Sequence, residues 1–278
     1  MTTLAFSAPA SPVRAFAAEL ARRQPKLARL GLACMVAVVP LLIAAGLDPR
    51  LVNGISIWVK PIKFLVSLSL YFWTFAWVFG YLSPSAQRTW SGRYILGVTP
   101  VLAAFEMSWL IGMALLGQPA HFNRTSPWAS ALYTTAGIGA VGLTIGILLQ
   151  GILVARDRGV ALAPAFRVAL VLGAVLAFAG TLFFGASLGG RSGHWVGGVM
   201  SDAGGLPLVY WSTTGGDLRV PHFWATHASQ LVPLAGLWIA RRGGRFGIPG
   251  VLLVGIAYAG FVVATYLQAR AGHPFIAW

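Results

Sequence analysis

The sequence predicts an all-α polytopic membrane protein, a bundle of about seven transmembrane helices, on three observations. Hydrophobic residues make up 57% of the 278-residue chain and charged residues only 9%, a balance far from that of a soluble domain. Seven apolar stretches, near 27–46, 57–81, 94–116, 128–154, 166–187, 218–240 and 247–270, each reach the roughly 20 residues of helix that a hydrocarbon core of about 30 Å requires. Lys and Arg divide unevenly between the two ends of these stretches, thirteen on the side of the N-terminus and seven on the other. By the positive-inside rule the N-terminus is expected in the cytoplasm and the C-terminus outside.

The formal charge of +14 does not indicate a nucleic-acid partner, because the basic residues are scattered at the ends of apolar runs and not gathered on one solvated face. The expected partner is the lipid bilayer, most simply that of a bacterial inner membrane. The single cysteine, Cys34, excludes an intrachain disulfide and a Cys-based zinc site.

Taken in order, residues 1–26 form a cytoplasmic amphipathic segment, and 27–278 form the transmembrane domain. Ser11-Pro12 caps a short helix whose apolar face carries Val13, Phe16 and Leu20. An Arg-rich organellar transit peptide is the rival reading of this stretch. The second span opens W-V-K-P-I-K-F, with Lys60 and Lys63 three apart on one face; they either snorkel to headgroups or clamp an anionic substrate or cofactor carboxylate. Glu106, in the third span, lies about 15 Å down from the outer end, where a carboxylate must be protonated, paired or wet. The following loop brings His121, Asn123 and Arg124 near the outer surface. In the fourth span, Gly142 and Gly146 have the spacing of a close helix contact. The connection at about 188–217 is glycine-rich, carries Trp195, Tyr210 and Trp211, and reads either as a lid over the outer mouth or as a plain external loop. Residues 241–246, R-R-G-G-R-F, form a positive-inside anchor.

The sixth span holds the most telling stretch, D-L-R-V-P-H-F-W-A-T-H-A-S-Q from Asp217 to Gln230. Ionisable groups within a membrane usually line a site or pathway. Asp217 after two glycines is first of all a helix cap. Arg219 and His222 share one stripe of the helix, whereas His227 lies about 140° away, with Gln230 beside it. All five histidines fall toward the outer side. His227 and Glu106 are expected at one depth and within hydrogen-bond reach, as the reacting pair. His222 is expected nearer the mouth. Ser67, Tyr71, Thr134, Thr135, Tyr258 and Thr265 would supply neighbouring polar groups, so spans two, three, four, six and seven are expected to wall the pocket.

W-V-K-P-I-K-F, the H-F-N of residues 121–123 and G-G-D-L-R-V-P-H-F-W-A-T-H-A-S-Q resemble motifs of an uncharacterised family of bacterial multipass membrane proteins, which carries no activity over to this chain. A retinal protein needs a Schiff-base lysine in its last span, and no lysine follows Lys63. The paired-His spacing of the seven-helix metal-dependent amide hydrolases is not matched.

Three function classes follow. The leading one is a membrane enzyme or redox protein whose outer-half site holds a metal ion or haem, with His121, His222 and His227 as metal ligands. Lys60, Lys63, Asn123, Arg124, Arg219 and Gln230 would bind the cofactor, and Glu106 and His227 would do the chemistry. The second is a proton-coupled transporter or receptor for a small or lipid-soluble ligand. The third is a membrane assembly or scaffold protein.

Overall fold

The computed structural model describes residues 11–242 and 247–277, so the first ten residues and most of the basic stretch at 241–246 lie outside the described residues. A short helix α1 (Pro12–Arg23) leads into α2 (Pro25–Leu47) and, after a hairpin of β1 (Leu51–Val52) and β2 (Ile55–Ser56), into α3 (Val59–Phe79). Two single-turn helices, α4 (Pro84–Gln87) and α5 (Trp90–Arg93), precede a π-helical turn at Tyr94–Val98 that runs on into α6 (Thr99–Leu115). The long helices α7 (Pro127–Arg156), α8 (Pro164–Gly189), α9 (Arg219–Arg242) and α10 (Gly247–Arg270) complete the bundle. Between α8 and α9, β3 (Trp195–Val196) pairs antiparallel with β4 (Gly216–Asp217).

Among the described residues six helices are long and apolar enough to cross a membrane: α2, α3, the continuous Trp90–Leu115 helix, α7, α8 and α10. Large apolar side chains on their outer faces, including Ile43, Val101, Ile138, Leu253 and Ile256, are 60% or more exposed in the isolated chain. Such faces suit lipid and not water. The helix α9 is equally long but more polar, because Arg219, His222, His227, Gln230, Arg241 and Arg242 lie within it.

Helix ends follow local chemistry. Ser11 Oγ accepts from the Arg14 amide at the start of α1, and Ser126 Oγ accepts from the Ala129 amide at the start of α7. Pro100, at the start of α6, cannot donate to the Leu96 carbonyl four residues earlier. Lys26 supplies the missing donor, with its ammonium 2.5 Å from that carbonyl oxygen. The π-helical turn sits just before this proline, where regular i to i−4 bonding is interrupted.

Small residues set the helix contacts. Along α8, Ala169, Gly173 and Gly180 face Ala225, Ala228, Pro233 and Gly236 of α9; a Cβ at Gly236 would overlap that of Ala169, and one at Gly180 would stand 2.8 Å from the Ala225 Cβ. This seam carries α9 close against α8. Gly142 and Gly146 perform the packing role read from their spacing, against Leu102 and Tyr94 and against Thr99 and Tyr71 respectively.

Candidate functional site

The site gathers at the end of the bundle that carries the β1–β2 hairpin, the α6–α7 loop, the α8–α9 connection and the C-terminal tail. The hairpin turns on Asn53 and Gly54, with φ of 55° and 84°, the pair of positive values that a two-residue type I′ turn demands. Its exposed Asn53 carbonyl accepts the Asp202 amide at 2.8 Å and the Ser201 hydroxyl at 3.2 Å. The α8–α9 connection is therefore tied across the mouth onto the hairpin. Gly216 lies so close to the last turn of α10 that a Cβ there would overlap the Ala269 carbonyl. Of the two readings of this connection, these contacts fit a lid folded back onto the bundle end.

An ion network clasps the lid. Arg219 reaches Asp202 at 2.8 Å and Asp217 at 2.7 Å, and also donates to the Tyr210 carbonyl. Asp202 accepts from His194 Nε2 at 3.1 Å, and the His194 carbonyl accepts the Leu218 amide. Lys63 donates to the Val209 carbonyl at 3.1 Å and lies over the Tyr210 ring. Leu208 and Tyr210 hold positive φ values of 68° and 55°, strained for residues with side chains. The strain falls where the lid meets Lys63 and Arg219. Burial pushes the His194 imidazole below its usual value, against the pull of Asp202, so a neutral ring donates the bond. Burial disfavours the Asp202 carboxylate, but His194 and Arg219 outweigh it and hold the group below the usual range.

These contacts assign structural work to several residues expected to bind a cofactor. Arg219 is fully engaged by the lid, and Asp217 caps the start of α9 through the Arg219 amide while also accepting from the Ser212 amide. Asn123 is buried and shapes its own loop, bonding Gln118 and both the amide and hydroxyl of Thr125. Arg124 donates to the Gly189 carbonyl at the end of α8. Gln230 links His227 Nδ1 at 3.2 Å to the Thr74 hydroxyl of α3.

Other polar atoms have no partner. Among the described residues, His121 Nδ1, His222 Nδ1 and Glu106 Oε1 are buried without a hydrogen bond, as are the indole nitrogens of Trp195 and Trp224. His121 packs among Phe64, Phe122 and Tyr133, with Lys60, His222 and His194 near enough for their charges to bear on it. Burial, then the charge of Lys60, holds the His121 imidazole well below its usual value, hence neutral at pH 7. His222 lies against Gly185 of α8.

Several expectations need correction. The fifth span, α8, walls the site: Gly185 adjoins His222, and Thr181 is hydrogen-bonded to Thr226 at 3.0 Å. Gly185 carries no polar group by which a sequence marks a site, yet its lack of a side chain makes room for His222. Thr134 and Thr135 are exposed and bond carbonyls of their own helix, as Thr265 does while buried, and Ser67 points outward. Tyr71 and Tyr258 are bonded to the Leu143 and Trp224 carbonyls. Glu106 and His227 form no hydrogen bond to each other: Glu106 Oε1 faces Gly139 of α7, while His227 stacks near Phe223 and bonds Gln230. Among the described residues no three His, Cys, Asp or Glu side chains gather as a metal site, so His121, His222 and His227 do not form a ligand set. The His194–Asp202–Arg219 clasp was not foreseen; its one visible signal was a His and an Asp inside a glycine-rich connection.

Comparison with family models, with curated proteins and with solved structures finds no match, and the reading of the site rests on its own geometry.

Proposed function

We propose that this chain is a seven-span protein of a bacterial inner membrane, with its N-terminus in the cytoplasm and its C-terminus outside. In this reading α9 is the further span, shielded by α8 and α10 despite its polar residues. The uneven division of Lys and Arg supports the orientation. The region around His121 and His222, which we call the chamber, then faces the outer side beneath the lid and binds a small polar ligand, as a solute receptor or transporter does. One observation carries this reading: His121 Nδ1 and His222 Nδ1 are buried without partners beneath a clasped lid. Buried polar atoms are nearly always satisfied, and two left open at one covered site fit a ligand that completes them. Glu106, with its own unpartnered oxygen deeper in the bundle, supplies a protonatable group for coupling in a transporter.

The test is mass spectrometry of the detergent-purified chain for a co-purified small molecule. A species at near one per chain, lost in His121→Ala and His222→Ala but kept in His273→Ala, is expected. Equal retention in all three variants refutes the chamber as the binding site.

A second reading, the metal- or haem-dependent enzyme or redox protein, draws on the same two open imidazole nitrogens, since neutral imidazole is the commonest metal ligand. It requires donors from outside this pair. An absorption spectrum and metal analysis of the purified chain decide it, with haem or metal at about one per chain as the positive result.

A further inference from the structure

Three cationic side chains converge beneath the lid, and the two carboxylates present serve only one of them. Arg219 takes both Asp202 and Asp217. Lys63 is occupied by the Val209 carbonyl and the Tyr210 ring. Lys60 lies about one turn before Lys63 on the same face of α3. It enters no ion pair among the described residues, and Phe64, one turn further along α3, has its ring 5.9 Å from that of His121. Three basic side chains thus stand against two carboxylates, with the imidazoles of His121 and His222 left open.

Lys60 is partly buried beside two other basic side chains, so an anion bound there gains a charge-assisted partner that no carboxylate of the described residues already holds. Each open imidazole nitrogen is an N–H donor in one tautomer, and such donors beside an ammonium suit an acceptor-only group. Glu106 does not supply the counter-charge, because its free oxygen faces Gly139 on α7. Arg124, the cation of the α6–α7 loop, is turned to the Gly189 carbonyl.

We infer that the chamber receives an oxyanion, the carboxylate or phosphate group of its ligand, with Lys60 as counter-charge and His121 and His222 as hydrogen-bond donors. This rests on the chamber being a ligand site, as proposed above. The oxyanion belongs either to a soluble solute or to the headgroup of an outer-leaflet lipid, which present the same chemistry.

Thermal unfolding of the full chain in neutral detergent tests the inference, with sodium phosphate and sodium acetate each compared with sodium chloride at equal ionic strength. A saturable rise in Tm with phosphate or acetate is expected. Apparent affinity should fall about tenfold or more in Lys60→Gln, the loss of one charge-assisted contact, and fall also in His121→Asn and His222→Asn. Arg270→Gln, which removes a cation at the same end but outside the chamber, should bind as the native chain does. In the absence of anion, Lys60→Gln should melt no lower than the native chain, since it removes an unpaired charge. A lower melting point there identifies Lys60 as a structural cation and overturns the inference. Unchanged anion affinity in Lys60→Gln also overturns it.

Acetamide and glucose serve as neutral probes. If one of them stabilises the chain through His121 and His222 while neither anion does, the chamber is a ligand site and the anion inference fails. If no probe binds and the histidine variants retain every co-purified species, the underlying reading fails as well. Nanodiscs separate the sources: phosphate that stabilises in phosphatidylcholine but adds nothing in phosphatidylglycerol marks a lipid headgroup, and an equal effect in both marks a soluble solute.

Discussion

Replacing Arg219 by Met should open the lid while leaving the bundle folded. The guanidinium holds Asp202 and Asp217, whose residues are 5% and 1% exposed. Breaking a buried ion pair by removing one partner costs about 3–5 kcal/mol, because the other charge is left buried. The Arg219 side chain is itself 23% exposed, so the lower end, about 3 kcal/mol, is the appropriate value. At about 1.4 kcal/mol per tenfold, that is roughly a 100-fold gain in the open population. Hydrogen exchange measured by mass spectrometry reads it directly, because the lid amides have identified acceptors: Asp202 to the Asn53 carbonyl, Ser212 to the Asp217 carboxylate and Leu218 to the His194 carbonyl. Peptides covering 200–218 should exchange roughly 100-fold faster in the variant, while those of α3 and α7 stay unchanged. Arg219→Lys should restore little, since an ammonium cannot bridge two carboxylates as a planar fork does. Lid exchange within about threefold of the native chain would refute the clasp.

Acidification should loosen the same region. The imidazoles of His194 and His121 are held below their usual value in the folded chain, so the unfolded state takes up their protons first. Stability should therefore fall as pH drops below about 6.5, by at most about 1.4 kcal/mol per pH unit for each histidine; a flat melting profile from pH 7.5 to 5 contradicts this. Asp202, held below the usual carboxylate range, contributes stability above about pH 4 that is lost only as pH falls further. In a Cys34→Ser background, Ser201→Cys should label in intact cells with an impermeant maleimide and Arg242→Cys only after lysis; the reverse pattern overturns the orientation. Gly236→Val should lower the yield of folded protein severely, because the α8–α9 seam leaves no room for a side chain, and unimpaired expression and melting would show that the seam is not tight. Lys26→Met should cost about 0.5–1.5 kcal/mol, because the Leu96 carbonyl loses its lysine donor at an exposed position, measured as a lowered Tm that Lys26→Arg recovers in part.

Composition and apolar run lengths by themselves determined the helical membrane class and placed the long helices to within a few residues of those observed. Burying or exposing some twenty consecutive apolar residues is a local property of the chain, and hydropathy reads it without tertiary information. The Ser11 cap, the packing role of Gly142 and Gly146, the capping role of Asp217 and the Gln230 partner of His227 were legible for the same reason, since each depends on residues a few positions apart. Tertiary structure alone decided how the polar residues divide into those that hold the lid and those left open. Asp202 meets Arg219 and His194 where the connection folds back onto Asn53, and both carboxylates go to Arg219 and not to Lys60. Glu106 and His227 stand at similar depths by helical rise, yet rotation about each axis and the choice of neighbour turn one toward α7 and the other toward Gln230 and α3. Depth is written along a helix, but partnership depends on which faces meet, and that is fixed by glycines and alanines whose contribution is the absence of a side chain.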